Sequence, residues 1–372
     1  VNQLNDFNAQ VDLIGINGGQ GEVAGRFFEM GAINVGMMRP YINPDGRSYI
    51  TVFRGGDKGD IRNYSQIPLR SNNPLQVNAT LRRDEWKTLD EAILEVARTR
   101  LPGVNGLISR GLTYDLGDGM GTTILETHTV SDSMEAEMTM DGVTRGQGDR
   151  PDFQHVYMPI PIIHVDYEIN MRVLANSRKL GNPLDATSAE HAARKVAEKL
   201  ESLTFTNTSY AYGGGTIYSL LNHPQRNTGS LTANWDDSAI EGGANIVADV
   251  RAMKQASIND RHYGPWVLYI PTNYETVMDD DYDSTTPGTT IRERILKIGG
   301  IEDVQVIDTM PADNVELVEM NKETVRIVRG MAMQNIQWST EGGMVNKFKV
   351  LIIQVPQVRA DQEGHSGIVH YT

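Results

Sequence analysis

The chain has no cysteine in its 372 residues. That single absence excludes disulfides, thiolate nucleophiles, Cys-ligated zinc and iron–sulfur clusters. Stability must come from packing and from partners. No run approaches the ~20 apolar residues of a membrane-spanning helix, and no basic, apolar, small-residue leader opens the sequence. Positive charge is scarce: 34 Lys and Arg stand against 48 Asp and Glu, a formal net charge of −14. That balance argues against sequence-independent nucleic-acid binding over the whole surface. It suits a subunit kept soluble until it associates. Lysine is absent between Lys87 and Lys179.

What remains is enough to fold. Hydrophobic residues make up 39%, charged residues 22% and aromatics 7%, ordinary values for a folded chain. The length allows two domains or one large composite one. Val1 in place of Met points to a trimmed start, by Met removal or by cleavage of a longer segment.

Recognisable chemistry is missing. The glycine-rich stretch Gly15 to Gly21 lacks the Gly-Lys-Ser/Thr ending of a phosphate cradle, and no strand precedes it; it reads as a flexible arm. Asp279-Asp280-Asp281-Tyr282-Asp283 lacks the Gly and distal Glu of a calcium loop and reads as a solvated loop. The eight histidines (His128, His155, His164, His191, His223, His262, His365 and His370) form no His-x-x-x-His or His-Glu-x-x-His pair for metal. No Gly-x-Ser-x-Gly elbow is present. Acidic residues are numerous, but spacing along the chain singles out no pair. The expectation is a non-enzyme with no catalytic, cofactor-binding or metal residues and no cofactor.

The strongest local signal is Tyr157 to Leu221. A long extended run, Tyr157 to Ile169, precedes a turn at Gly181-Asn182-Pro183. A helix over 188–203 follows, opened by Thr187-Ser188-Ala189-Glu190 as a capping box. Ala189, Ala192, Ala193, Val196, Ala197, Leu200 and Leu203 recur at helical spacing. Arg194, Lys195, Glu198, Lys199 and Glu201 occupy the opposite face. The alanine-rich stripe calls for close approach by whatever covers it.

Other elements flank this unit. A helix runs from Arg82 to Arg100 with Trp86, Leu89, Ile93, Val96 and Ala97 on one face, stopped by Pro102-Gly103. Thr122 to Val130 is β-rich, and Met134, Ala136, Met138 and Met140 alternate with polar residues at a period of two. Asn245 to Ser257 reads as a helix. Trp266 to Ile270 is an apolar run typical of a strand buried on both faces. A short helix over Tyr274 to Met278 and another over Thr290 to Ile298 follow. Strands are expected at Val304 to Ile307, Glu316 to Met320, Thr324 to Val328 and Lys347 to Val355. Residues before Thr80 carry scattered beads (Phe27, Phe28, Met37, Met38, Tyr41, Phe53), too few to bury alone; such a segment is either disordered or laid across a partner, and the beads favour the second.

The extended run, the long helix and the Gly213-to-Leu221 segment together resemble encapsulins and tailed-phage major capsid proteins. Leu81 to Glu91, with Trp86-x-x-Leu89-Asp90-Glu91, resembles a helix near the start of encapsulins. Here 79 residues precede Thr80, a departure that favours the phage proteins, where long N-terminal arms lace neighbours together.

The resemblance implies the Hong Kong 97-type capsid fold, of α+β class. It implies an N-terminal arm over 1–79, a first helix and connection of the peripheral domain over 80–121, and an E-loop ribbon over 122–156. The peripheral domain with its spine helix would span 157–240, the axial domain 241–344, and the return strand and tail 345–372. The implied function is the major capsid protein of a double-stranded DNA tailed bacteriophage. It would self-assemble into pentamers and hexamers of an icosahedral head, built in the host cytoplasm. The implied partners are other copies, a portal, and decoration or scaffolding proteins, around DNA held without sequence-specific contacts and with no membrane. An encapsulin compartment enclosing a cargo enzyme is the alternative, and a soluble carboxylate enzyme a second. Some capsids of this fold join an E-loop lysine to a neighbour's asparagine. The ribbon here offers no amine, so no such cross-link is expected.

Overall fold

The computed structural model describes residues 41–42, 48–53, 64–68, 83–130, 138, 140, 152–180, 186–237, 242–282, 288–340 and 344–372. The Gly15–Gly21 stretch, the turn at Gly181-Asn182-Pro183 and Met134 to Glu137 lie outside them.

Three short strands come first: β1 (Tyr41–Ile42), β2 (Ser48–Phe53) and β3 (Tyr64–Pro68), an antiparallel sheet with β2 in the middle. Tyr49 packs against the main core, so part of the N-terminal segment is laid on its own subunit. Helix α1 (Arg83–Arg100) buries Leu89 and Ile93. Pro102 then opens a second helix, α2 (Pro102–Ser109), instead of only ending the first. Proline suits a first helical position, because its missing N–H is one that no helix could pair.

Strands β4 (Thr113–Asp115), β5 (Ile124–Val130), β6 (Phe153–Pro159) and β7 (Ile163–Asn170) follow. The expected single run from Tyr157 to Ile169 is two strands in two sheets, broken at Ile160-Pro161-Ile162. Pro161 has no N–H to give a ladder. β6 pairs antiparallel with β5 to make a two-stranded ribbon, while β7 joins a four-stranded sheet. Met138 and Met140, expected in a strand, lie in none and are fully exposed; the return strand of the ribbon is β6.

Helix α3 (Met171–Leu180), which the sequence reading missed, leads to the spine, α4 (Thr187–Phe205). The spine buries all seven residues of the expected stripe. Two details differ from expectation. Ala186 occupies the N-cap place and makes no side-chain cap bond, so Thr187 is already helical and the capping box does not form. Glu201, assigned to the polar face, is buried at 2% exposure.

After the spine come the hairpin β8 (Ser209–Tyr212) and β9 (Gly215–Tyr218), then β10 (Asn227–Gly229) and α5 (Gly243–Asn259). Gly213 and Gly214 join the hairpin with φ of 60° and 82°, the left-handed pair that a two-residue hairpin turn requires. Next are β11 (Trp266–Pro271), α6 (Ile291–Leu296), β12 (Ile301–Ile307), β13 (Val315–Glu319), β14 (Val325–Thr340), β15 (Val345–Val358) and β16 (Ile368–Tyr371). Two 3-10 turns, Thr272–Tyr274 and Val277–Asp279, stand where a short helix was expected. Thr290 caps α6, its hydroxyl accepting the Glu293 N–H at 3.2 Å.

Two sheets organise the body. One has the order β4-β14-β15-β7; the spine lies across β7 and β15. The other has the order β10-β16-β13-β11-β12, with β11 buried at every residue between parallel β12 and antiparallel β13. Residues of β11 alternate between two cores. Val267 and Tyr269 face the spine side, whereas Leu268 and Ile270 face α5 and α6. Among the described residues no helix is long and apolar enough to cross a membrane.

Candidate functional site

Two regions carry features that packing alone does not require: the ribbon, and the seam between the spine and the second sheet.

In the ribbon the register runs from Ile124 opposite Pro159 to Val130 opposite Phe153. Its base is anchored by Leu125 and Met158, buried with Ile217, Val328, Ile353 and Val355. The same face is tied down by polar contacts. Gln357 Nε2 donates to Thr127 Oγ1 at 3.4 Å, and Gln362 Nε2 donates to the Thr129 and Asp152 carbonyls at 3.0 Å each. The other face points outward. It carries Glu126, His128, His155 and Tyr157, all in the strand register that sets side chains two apart on one side. Phe153 and Tyr157 on this face are exposed, apolar surface that suits contact with another chain.

The seam begins at the end of the spine. Glu201 accepts the Gly103 N–H at 2.8 Å and the Val104 N–H at 3.3 Å. These are orphan donors at the start of α2, whose own N-cap, Leu101, offers no side-chain bond. A carboxylate from 98 positions away thus serves as the cap. Burial pushes its pKa up to about 7, although the two N–H bonds pull the other way. The fit is tight: a Cβ at Gly103 would sit 2.3 Å from Phe205 Cε2 and 2.8 Å from Glu201 Oε1.

Across the second sheet a polar row continues strand by strand. His370, Glu316, Tyr269 and Gln305 are directly paired neighbours on β16, β13, β11 and β12. They share the face turned toward the spine, where the Phe205 ring lies 4.8 Å from that of Tyr269. Arg226 Nε donates to His370 Nδ1 at 3.2 Å, so Nε2 carries the proton toward Asn314 Oδ1 at 2.8 Å. Burial, with Arg226 beside it, lowers His370 to about 4 and fixes it neutral. His223, also beside Arg226, is lowered to about 4 for the same reasons. Glu316 is wholly buried, neither oxygen has a hydrogen-bond partner among the described residues, and burial raises its pKa well above the ordinary value. Burial likewise raises Tyr269. Glu316 and Tyr269 are acids held in their neutral form inside the protein. Among the described residues neither is paired with a nucleophile, and both are fully buried.

The residues weighed from the sequence fall apart or together as follows. Asp279 faces Arg292 at 3.7 Å, and Asp281 accepts the Gly288 N–H at 3.3 Å. Among the described residues neither joins a group of three potential metal ligands. His262 contacts Glu319 at 2.5 Å, and His164 lies 3.7 Å from Asp166. His128 and His155, unrelated in sequence, meet across the ribbon with ring centroids 4.5 Å apart. A search at helical spacing misses them. The usable signal is Glu126-x-His128, a strand spacing.

Comparison with known proteins agrees with this architecture. Residues 76–371 match the family described as "Family of unknown function (DUF6260)". The type 1 encapsulin shell protein EncA of Myxococcus xanthus (strain DK1622) is 27% identical over 216 residues, covering 55% of this chain and 66% of that protein. The chain thus spans just under two thirds of that relative's length. A virus-like particle from Pyrococcus furiosus superposes with a TM-score of 0.54 at 16% identity, over 77% of this chain and 98% of the other. The capsid of Myoviridae phage XM1 gives 0.55 at 10% identity, over 71% and 90%. The capsid of a native GTA particle gives 0.52 at 11%, over 71% and 89%. The fold is therefore the α+β, Hong Kong 97-type capsid fold that the sequence implied.

Proposed function

We propose that this chain, which belongs to the DUF6260 family, is the major shell subunit of a tailed-bacteriophage head. Copies would form pentamers and hexamers around the second sheet, as an axial domain, with the spine helix stiffening each tile. The observation that carries the reading is the combination, in one chain, of the spine across β7 and β15, the five-stranded sheet and the outward ribbon. Two capsids and a virus-like particle superpose on this fold at TM-scores of 0.52 to 0.55. The 79 residues before Thr80 supply an arm that could reach across neighbouring subunits, and strand addition would let main-chain hydrogen bonds hold it. The sealed position of Glu201 and Glu316 supports a structural role over a carboxylate enzyme. The closed wall would retain double-stranded DNA without sequence-specific contacts, consistent with the net charge of −14. A portal and decoration or scaffolding proteins would complete the particle, assembled in the host cytoplasm.

A second reading is an encapsulin compartment holding a cargo enzyme; the 27% likeness to EncA supports it. Electron microscopy of the purified protein, with nuclease digestion and mass spectrometry of the contents, tests both. Nuclease-protected DNA in a portal-bearing particle is the expected result. A DNA-free shell with a co-purifying enzyme selects the encapsulin reading. A discrete monomer or dimer at micromolar concentration overturns both.

A further inference from the structure

We propose that Glu126, His128 and His155 bind one divalent transition-metal ion of the zinc class on the outer face of the ribbon. The inference does not rest on the shell reading, because all three donors belong to one chain.

Glu126 and His128 are two apart on β5, so they project from the same side. The register sets His155 of β6 directly opposite His128. One donor atom from each residue lies within 4.8 Å of the other two. Around zinc, donors about 2.1 Å from the ion stand roughly 3.4 Å apart in a tetrahedral set. Side-chain rotation on a fixed two-stranded backbone closes that gap. His155 Nδ1 is in hydrogen-bonding contact with Glu126 Oε1; an ion would take the place of the proton they share and move the two atoms apart.

The donor set selects the ion. Two imidazoles and one carboxylate suit zinc, cobalt(II) or nickel(II), whereas magnesium and calcium prefer oxygen alone. Three protein ligands leave a position for water. All three side chains are exposed, giving the ion an entry path, while the opposite face is pinned by Gln357 and Gln362. Such an ion would clip β5 to β6, adding a cross-strand tie in a segment that has no lysine.

The other such cluster among the described residues, Asp361, Glu363 and His365, is a weaker rival. His365 donates its backbone N–H to Asp361 Oδ1 at 2.7 Å, and its ring contacts Asp361 Oδ2 at 2.7 Å. The backbone bond engages Asp361 further within a turn, and one imidazole with two carboxylates is less suited to a zinc-class ion. It serves as the internal control.

The test uses tag-free, EDTA-treated full-length protein titrated with zinc chloride against a chromophoric chelator. One zinc per chain is expected. His128→Ala and His155→Ala should each weaken binding by roughly 100-fold, since each removes one of few ligands. Glu126→Gln should weaken it less, and His365→Ala should leave it unchanged. A readout on the unaltered protein guards against misfolded variants. Zinc should shield His128 and His155, but not the exposed His164 and His191, from diethylpyrocarbonate, mapped by peptide mass. Failure of the unaltered chain to bind zinc at micromolar free metal overturns the proposal. So does wild-type affinity in the His128→Ala/His155→Ala double variant, or equal modification of all four histidines with and without zinc.

Discussion

Replacing Glu201 by glutamine should make the subunit more stable at neutral and alkaline pH, and the gain should vanish in acid. The folded protein holds the Glu201 proton up to about 7, whereas the unfolded chain releases it at the ordinary 4.5. Folding therefore favours the protonated form. The contribution of this group is fully present below 4.5, is lost as pH rises through 7, and is flat above. A difference of about 2.5 pH units, at about 1.4 kcal/mol each, amounts to roughly 3 kcal/mol. The substituted glutamine would keep an oxygen for the Gly103 N–H and could not ionise. Its NH2 cannot accept the Val104 N–H that Oε2 accepts in the wild type, so that bond is lost at a cost of about 1 kcal/mol. The variant should thus lie about 1 kcal/mol below the wild type near about pH 4 and exceed it by about 2 kcal/mol near about pH 8. Other groups also titrate. Glu316, raised by burial, acts in the same direction as Glu201. His223 and His370, lowered to about 4, act oppositely, losing stability as pH falls from 6.5 toward 4. All three are common to both proteins, so the variant-minus-wild-type difference isolates Glu201. Urea unfolding of unassembled chain across that pH range measures it. A difference that stays flat between the two pH extremes would refute the reasoning.

Glu316→Leu should raise the thermal midpoint at neutral pH, because a fully buried carboxyl with no hydrogen-bond partner costs about 1–3 kcal/mol that an apolar group does not; an unchanged or lower midpoint argues against it. Gly103→Ala should destabilise by about 1–3 kcal/mol through its clash with Phe205 and Glu201, read as a shift in urea midpoint with unchanged slope; a wild-type midpoint would show that the seam can open. Mature particles should run as single-length chains on a denaturing gel, since no lysine lies between Lys87 and Lys179; a ladder of covalent multimers would show that another amine substitutes.

The spine and the strand Trp266–Pro271 were readable because each imposes a period or a run on neighbouring residues. The helix start was misread because Thr187 and Glu190 match a capping pattern, while the backbone is already helical from Ala186. Glu201 looked like a surface residue because it follows Glu198 and Lys199; its role as a cap depends on Gly103 and Val104, far away in sequence. β14 was expected to end near Val328 yet runs to Thr340. Arg329 to Gln334 carries two register irregularities that interrupt the strand pattern while the pairing with β15 continues. The histidine pair was hidden because only the ribbon register aligns His128 with His155.

The long hairpin of β14 and β15 has a mechanical consequence. At about 3.3 Å per residue, the 16 residues of β14 form a strut of roughly 50 Å. On the other side of β15, β7 runs antiparallel from Ile163 opposite Ile352 to Asn170 opposite Val345. Tension along these strands loads every cross-strand bond of the laminate in shear at once, whereas tension across them would peel the bonds one by one. The subunit therefore has a strong axis and a weak one. A wall under outward pressure would be toughest where the strong axes of neighbouring subunits lie along the lines of stretch.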